Sequence, residues 1–225
     1  MPVGFQITQQ EAPLASGGVV TLRDKDGKES SIRIARIQLE QDSGKSIHDV
    51  DPTSSLVDLN RAGVGLMEIV SEPDMDRPEE AVAYIKKIQS YLRHIGSCNG
   101  NMEEGSLRCD INVSVRLEGE GDDLIQGARC EVKNLNSLRS VHRAIDYEVV
   151  RHVKKLEAGE EVPMETRTFD AAENVTRRLR SKEEQVDYRF MPEPDLPVLK
   201  LSQAAIDDVA SKLPELPEAL MERLM

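Results

Sequence analysis

Two stretches of the chain, at 106–117 and 128–136, alternate apolar and polar residues with a period of two. That period places the polar residues of each stretch on one face of an extended strand. Charges of both signs share these polar faces, namely Arg108 and Asp110 in the first stretch and Glu131 and Lys133 in the second. A nucleotide phosphate and its metal ion require such a mixed surface of carboxylates and cations. The pattern therefore predicts that this face of the two strands forms the base of a site that binds phosphate and a metal ion.

Acidic residues in and around these stretches offer the hard oxygen ligands that magnesium prefers. The set comprises Glu40, Asp42, Glu68, Glu103, Glu104, Asp110 and Glu131. Glu68 interrupts an apolar run, VGLMEIV, and a carboxylate in a buried strand must be paired, metal-bound or at a cleft. The alternative is that acidic side chains are simply abundant in this chain.

The segment 38–46, QLEQDSGKS, ends in Gly-Lys-Ser, as a phosphate-binding P-loop does. That motif requires a glycine five residues before Gly44, where this chain has Leu39, so a P-loop is excluded. Lys45 remains a candidate point charge for a phosphate, with Gly44 giving backbone clearance. The alternative is a solvated turn.

Glycine-rich and apolar patterns predict the elements that position these residues. The connection between the two charged stretches contains Gly119, Gly121 and Gly127, which predicts an antiparallel pair of strands. A hairpin is predicted over 18–39, with a bulge near Ala35 where the apolar parity changes.

Apolar residues at helical spacing predict two helices, over 78–95 and 138–157. The second helix is predicted to turn five residues inward, namely Val141, Ile145, Val149, Val153 and Leu156. The histidines show no metal-ligand spacing and are predicted to lie on the surface: His48, His94, His142 and His152. Because strands and helices are grouped and do not strictly alternate, the fold class is predicted to be α+β with a mainly antiparallel sheet.

Composition narrows the classes of function. The net charge is −12, from 41 acidic and 29 basic residues among 225, which disfavours gripping nucleic acid through phosphate neutralisation. Cys98, Cys109 and Cys130 form neither a CxxC pair nor a disulfide framework, and none is predicted to be a nucleophile. No apolar run approaches the roughly 20 residues that span a bilayer. A basic run at 177–182 is predicted to be a solvated edge in preference to a tRNA groove.

Five long blocks carry a family resemblance, which covers nearly the whole chain from Gly4 to about Pro217. They are LEQDSGKSIHD, SLVDLNRAGVGLMEIVSEPD, NMEEGSLRCDINVSVR, EVKNLNSLRSVHRAIDYE and DYRFMPEPDLP. In this order they closely resemble the B subunit of the glutamyl-tRNA(Gln)/aspartyl-tRNA(Asn) amidotransferase. The Glu40-Gln41 pair looks like the mitochondrial branch of that family.

The resemblance implies a fold, a reaction and partners. Members convert mischarged Glu-tRNA(Gln) to Gln-tRNA(Gln) in a cradle that resembles glutamine synthetase. There ATP and magnesium (Mg²⁺) activate the tRNA-linked carboxylate as an acyl phosphate, and ammonia then displaces phosphate. The implied partners are the glutaminase (A) subunit, the small (C) subunit and the acceptor end of the tRNA, without a membrane. The implied location is the mitochondrial matrix, with the cytoplasm as the alternative.

The matched motifs also imply site residues. Those placed near nucleotide and metal are Glu40, Gln41, Asp42, Lys45, Glu103, Glu104, Arg108, Asp110, Asn112, Glu131, Lys133, Asn134 and Asn136. Within this set, Asp110 and Glu131 are expected to bind magnesium. Arg108 and Lys133 are expected to face phosphate, and these four are the expected catalytic residues.

Departures from the family pattern limit what this sequence is expected to do alone. Gln41 stands where many bacterial members carry an acid, and the family's N-terminal Gly-Leu-Glu-Val-His strand and C-terminal helical region are missing. We expect a partial catalytic cradle over 1–201, the start of a helical region over 202–225, and an inactive fragment. Two alternatives stay open: a non-catalytic assembly piece of the same complex, and an unrelated ATP-dependent carboxylate-amine ligase.

Overall fold

The computed structural model describes residues 9, 11–47, 53–118, 124–181 and 195–224. The chain divides into two compact units, Met1–Asp74 with Val186–Leu201 and Met75–Gln185 with Ser202–Met225. The segment 38–46 belongs to the first unit, and the two alternating stretches belong to the second. The predictions for His48 and for the connection at 119–123 lie outside the described residues.

The first unit contains an antiparallel sheet in the order β1, β2, β5. Its strands are β1 (Ala15–Arg23), β2 (Glu29–Gln41) and β5 (Gly65–Ser71), and a separate antiparallel pair is β3 (Lys45–Ile47) with β4 (Leu56–Asp58). Asp24 closes the β1–β2 turn, because its Oδ1 accepts from the backbone N–H groups of Asp26 and Lys28, both at 2.9 Å. The β2–β5 register shifts between Ile34 and Arg36, which confirms the predicted bulge.

The second unit contains a four-stranded sheet in the order β11, β10, β9, β6. Its strands are β6 (Cys109–Val113), β9 (Cys130–Leu135), β10 (Glu165–Asp170) and β11 (Val175–Ser181), and a separate antiparallel pair is β7 (Arg116–Glu118) with β8 (Leu124–Gln126). The β6–β9 and β10–β11 pairs are antiparallel, whereas β9 and β10 are parallel. The single strand predicted over 106–117 is wrong in length. β9 pairs with it only as far as Val113, and residues 116–118 pair with β8 instead.

Four helices lie within the described residues: α1 (Pro78–His94), α2 (Leu138–Glu157), α3 (Gln203–Lys212) and α4 (Pro217–Leu224). The helices predicted over 78–95 and 138–157 are confirmed. Ser137 caps α2 by accepting from the backbone N–H of Ser140 at 3.1 Å, and Gly96 follows α1 with a φ of 75°. None of these four is long and apolar enough to cross a membrane. The predicted α+β class with a mainly antiparallel sheet is confirmed.

The inward face of α2 differs from its predicted apolar stripe. Its buried residues are Val141, Ala144, Glu148 and His152. Val149, predicted to point inward, is 38% exposed, and the surface position predicted for His152 is wrong because the ring is fully buried. Periodicity assigns a helix face by hydrophobicity, and here two polar residues occupy that face because they are paired in the interior.

Candidate active site

The polar face of β6 and β9 brings three charged residues into direct contact. The Lys133 Nζ donates to Asp110 Oδ2 at 2.7 Å and lies 3.1 Å from Glu131 Oε1. The antiparallel register places Asn112 opposite Glu131, so this side chain shares the same face. Three residues that the sequence placed at the site, from two separate stretches, are thus joined through one ammonium group.

A bulge in β9 explains how these side chains meet. Cys109 pairs with Leu135 and Ile111 pairs with Val132, so two residues of β9 stand opposite Asp110. The second of them, Asn134, has a φ of 65°, in the left-handed region that few residues other than glycine adopt. Its Nδ2 donates to Thr168 Oγ1 at 2.7 Å. Because of the bulge, Asn134 and Lys133 both stand opposite Asp110, whereas strict alternation would place Asn134 on the other face of the strand.

Two threonines of β10 complete the polar face, and sequence reasoning missed both. The parallel register sets Thr166 beside Glu131 and Thr168 beside Lys133. The Thr166 hydroxyl donates to Glu131 Oε2 at 3.0 Å. The alternation of Thr166 and Thr168 in TRTFD was visible in the sequence, but their parallel pairing with β9 was not.

The electrostatics of this face suit the binding of a cation and an anion. Burial lowers the pKa of Lys133, but the charges and hydrogen bonds of Asp110 and Glu131 outweigh it and raise that pKa. The side chains of Lys133, Asp110 and Glu131 are 32%, 45% and 24% exposed, so solvent reaches all three. Because one ammonium group already contacts both carboxylates, a single cation at this place can contact both. The oxygen donors fit a magnesium ion.

The other predicted site residues of the second unit are exposed. Arg108, Asn112 and Asn136 are exposed. The exposed Glu103 and Glu104 lie in a turn, and Glu104 accepts from Asn99 Nδ2 at 3.0 Å. Among the predicted site residues, Glu103 alone lines a cleft of about 340 Å³, whose other lining residues are Gln89, Arg93, Gly100, Asn101, Met102, Ser137, Leu138 and Arg139. This cleft is therefore separate from the contacts around Lys133.

In the first unit, Glu40 lies in a second polar cluster. Gln38 Nε2 donates to Glu68 Oε2 at 2.6 Å and to Glu40 Oε1 at 3.1 Å. Desolvation by its neighbours, followed by the hydrogen bond and charge of Glu40, raises the pKa of Glu68 to about 7. Glu68 is an exposed residue, so the expectation of a buried strand at this position is wrong. Of the three alternatives that the sequence left open for its carboxylate, the structure shows pairing, with Gln38.

The remaining predicted site residues of the segment 38–46 lie at the end of β2 and after it. Gln41 ends that strand, and Asp42 is buried. Asp42 accepts from Arg61 Nε and from the backbone N–H of Ser43, both at 3.0 Å, so its carboxylate ties two segments of the first unit together. The backbone of Lys45 begins β3, but its side chain lies outside the described residues.

A buried cluster on the opposite face of the sheet also groups potential metal ligands, Cys130, Glu148 and His152. Arg151 already occupies it: its Nη2 donates to Glu148 Oε2 at 2.7 Å and to Cys130 Sγ at 3.2 Å. Arginine keeps its charge in proteins, so this donor set already holds a permanent cation and does not suit a metal ion. We interpret the cluster as structural.

A different cysteine, Cys109, is also unsuited to reaction. Burial raises the pKa of its thiol to about 12, which agrees with the prediction that it is not a nucleophile.

Comparison with protein families identifies the group to which this architecture belongs. A family model described as the GatB/GatE catalytic domain matches residues 1–207. The chain belongs to this family. The resemblance drawn from the sequence blocks is thereby confirmed.

Curated relatives agree with the family assignment. The B subunit of the mitochondrial glutamyl-tRNA(Gln) amidotransferase of Naegleria gruberi is 51% identical over all of this chain and 44% of its own length. The B subunit of the aspartyl/glutamyl-tRNA(Asn/Gln) amidotransferase of Gluconobacter oxydans is 53% identical over all of this chain and 46% of its own length. That of Rickettsia rickettsii is 49% identical over 99% of this chain and 45% of its own. The chain thus spans somewhat less than half the length of these relatives.

Proposed function

We propose that this chain forms part of the catalytic B subunit of the tRNA-dependent amidotransferase, which is a carbon–nitrogen ligase of protein biosynthesis. In this proposal it serves the conversion of Glu-tRNA(Gln) to Gln-tRNA(Gln). The contact of Lys133 with both Asp110 and Glu131 carries the proposal, because it gathers two hard carboxylates and a cation on one solvent-reached face. The names of the relatives support the choice of reaction.

Asp110 and Glu131 would hold magnesium, and Lys133 and Arg108 would face the phosphates of ATP. Bound magnesium would neutralise phosphate charge and help to align the reacting oxygens. An oxygen of the tRNA-linked carboxylate bonds to the γ-phosphorus while the bond to the departing ADP breaks. Ammonia then forms a C–N bond at the acyl carbon, phosphate leaves, and the nitrogen loses its extra proton.

Lys133 has two possible anionic partners in this mechanism. Without a bound cation it neutralises Asp110 and Glu131. If Asp110 and Glu131 held magnesium, the Lys133 ammonium group would no longer pair with them and would be available to a phosphate oxygen. Lysine suits this exchange because its ammonium is a point charge on a flexible stem and makes no fixed fork of hydrogen bonds.

The resemblance also assigns further residues to nucleotide binding, namely Glu40, Gln41, Asp42, Lys45, Glu103, Glu104, Asn112, Asn134 and Asn136. The proposed partners are the glutaminase (A) subunit, which supplies ammonia, the small (C) subunit, and the acceptor end of the tRNA. A heterotrimer is also compatible with the net charge of −12, because other parts of the complex would supply the cationic residues that bind tRNA. The mitochondrial matrix is the proposed location, on the name of the Naegleria relative.

Replacing Glu131 with glutamine in the assembled enzyme tests the proposal. The E131Q variant should lose ATP-dependent phosphorylation of Glu-tRNA, because a neutral amide replaces a charged magnesium ligand. It should keep the glutaminase activity, which resides on the partner that supplies ammonia. Product formation from labelled ATP and from glutamine would be measured in parallel. Retention of both activities would reject the site, and assembly of a wild-type complex without ATP turnover would favour the non-catalytic assembly piece.

A further inference from the structure

Thr166 is buried on the polar face, where its hydroxyl meets Glu131. Its exposed fraction is 0%, and the parallel register places it directly beside Glu131. The hydroxyl donates to Glu131 Oε2 at 3.0 Å, while Lys133 Nζ lies 3.1 Å from Oε1 of the same carboxylate. The two oxygens of Glu131 are therefore held by two donors on different strands, Thr166 on β10 and Lys133 on β9. A carboxylate held in this way cannot rotate without losing one of them.

The backbone of Thr166 is in turn fixed by its two neighbours. Arg167 Nη1 donates to Glu165 Oε1 at 2.6 Å, and Arg167 Nε lies 3.1 Å from Glu148 Oε1 on α2. These side chains are 11%, 6% and 0% exposed, so solvent competes little for their hydrogen bonds. Successive strand residues point to opposite faces, so the buried cluster clamps β10 from one side while Thr166 serves the other.

We propose that Thr166 is a positioning residue that sets the orientation of the Glu131 carboxylate for cation binding. This inference rests on the proposed function. Lys133 exchanges partners when a cation and a phosphate bind, so it cannot hold Glu131 throughout the reaction. Thr166 is neutral and buried, so its hydrogen bond to Oε2 would persist if Lys133 left Oε1. Hydrogen-bonding partners behind metal ligands commonly change metal affinity by about 10- to 100-fold when they are removed.

The test measures binding of Mn²⁺ with ATP to the assembled enzyme by electron paramagnetic resonance. Mn²⁺ replaces Mg²⁺ because it is paramagnetic and also accepts oxygen ligands. T166V keeps the branched shape but removes the hydroxyl, and its Kd should rise about tenfold or more, with an altered Mn²⁺ spectrum. T166S keeps the hydroxyl and should restore both. T166A replaces T166V if the valine variant does not assemble.

A matched control separates positioning from stability. Thr176 is also buried on this sheet, but its hydroxyl bonds to Glu148 in the buried cluster. T176V should lower the melting temperature and leave the Mn²⁺ affinity unchanged. T166V should weaken Mn²⁺ binding and leave the melting temperature unchanged. In the E131Q background, T166V should have no further effect on Kd, since the hydroxyl acts through Glu131.

The outcomes distinguish this inference from the function on which it rests. A T166V variant that binds Mn²⁺ like the wild type would overturn the role of Thr166 while leaving the proposed function intact. The same holds if T166S is as impaired as T166V, because side-chain shape would then be responsible. If the wild-type enzyme binds no Mn²⁺ with ATP, the proposed function fails and takes this role with it.

Discussion

The two faces of the β6–β9–β10 sheet carry the same kinds of charge in opposite environments. On the polar face, Lys133 neutralises Asp110 and Glu131 within reach of solvent. On the opposite face, two arginines at most 14% exposed neutralise two buried glutamates, namely Arg151 and Arg167 with Glu148 and Glu165. A guanidinium fork fixes its partners, whereas an exposed ammonium exchanges them easily. Burial and the type of cation thus distinguish the structural cluster from the face proposed to bind magnesium and phosphate.

The largest expected effect comes from breaking the buried cluster. Glu148→Gln removes the carboxylate that faces both Arg151 and Arg167, and it leaves buried positive charge uncompensated. The free energy of unfolding should fall by about 3 kcal/mol or more, as in other buried ion pairs that lose one partner. Denaturant unfolding followed by circular dichroism measures the change.

Asp110→Asn is the matched control on the polar face. Its ion pair with Lys133 is partly exposed, so the loss should stay below about 1 kcal/mol. Equal destabilisation by the two variants would show that the two clusters do not differ in the way described.

Reciprocal exchange of the cations gives a smaller but more specific effect. Arg151→Lys loses the fork that donates to Glu148 from both Nε and Nη2, and unfolding free energy should fall by about 1–3 kcal/mol. Lys133→Arg should change stability by less than about 1 kcal/mol. It should nevertheless weaken Mn²⁺ binding, because the guanidinium fork holds the carboxylates bidentately. Unfolding and Mn²⁺ titration would be measured on both variants, and an unchanged Mn²⁺ affinity in Lys133→Arg would contradict the exchange.

The last comparison concerns the pH dependence of stability. Burial raises the pKa of Glu148, but hydrogen bonds from His152, Arg151 and Thr176 outweigh it and hold that pKa at about 2. The contribution of Glu148 to the free energy of unfolding is therefore present above pH 4.5 and is lost as pH falls towards 2. Glu68, with its pKa raised to about 7, does the opposite: its contribution is present below pH 4.5 and is lost as pH rises through 7.

Melting temperature against pH, measured on the wild type and on Glu68→Gln, separates these contributions. The Glu68→Gln variant should lose less stability than the wild type between pH 4.5 and 7. Parallel curves over that interval would show that the carboxylate is not held in its neutral form.

The sequence predicted local structure well and long-range placement poorly. Period-two alternation located β6 and β9, and apolar residues at helical spacing located α1 and α2. The pairing of β9 with β10 joins residues 35 positions apart, so no local pattern pointed to Thr166. His152 looked like a surface residue because hydropathy does not register that a polar side chain has buried partners. The polar residues of β6 and β9 were identified, but the bulge that gathers Lys133 and Asn134 was not.

The alternation along β10 also constrains how this protein can vary in length. Residues 165 and 167 serve the buried cluster, and residues 166 and 168 serve the polar face. Deleting one residue before Thr166 would exchange the two sets, bringing Arg167 to Glu131 and Thr168 to Glu148, whereas inserting one residue would bring Glu165 to Glu131 and Thr166 to Glu148. Substitutions in this strand affect one face at a time, whereas a single-residue change in length would damage both. The length of β10 is therefore constrained, because both folding stability and the geometry of the charged face depend on which residues point to each side of the strand.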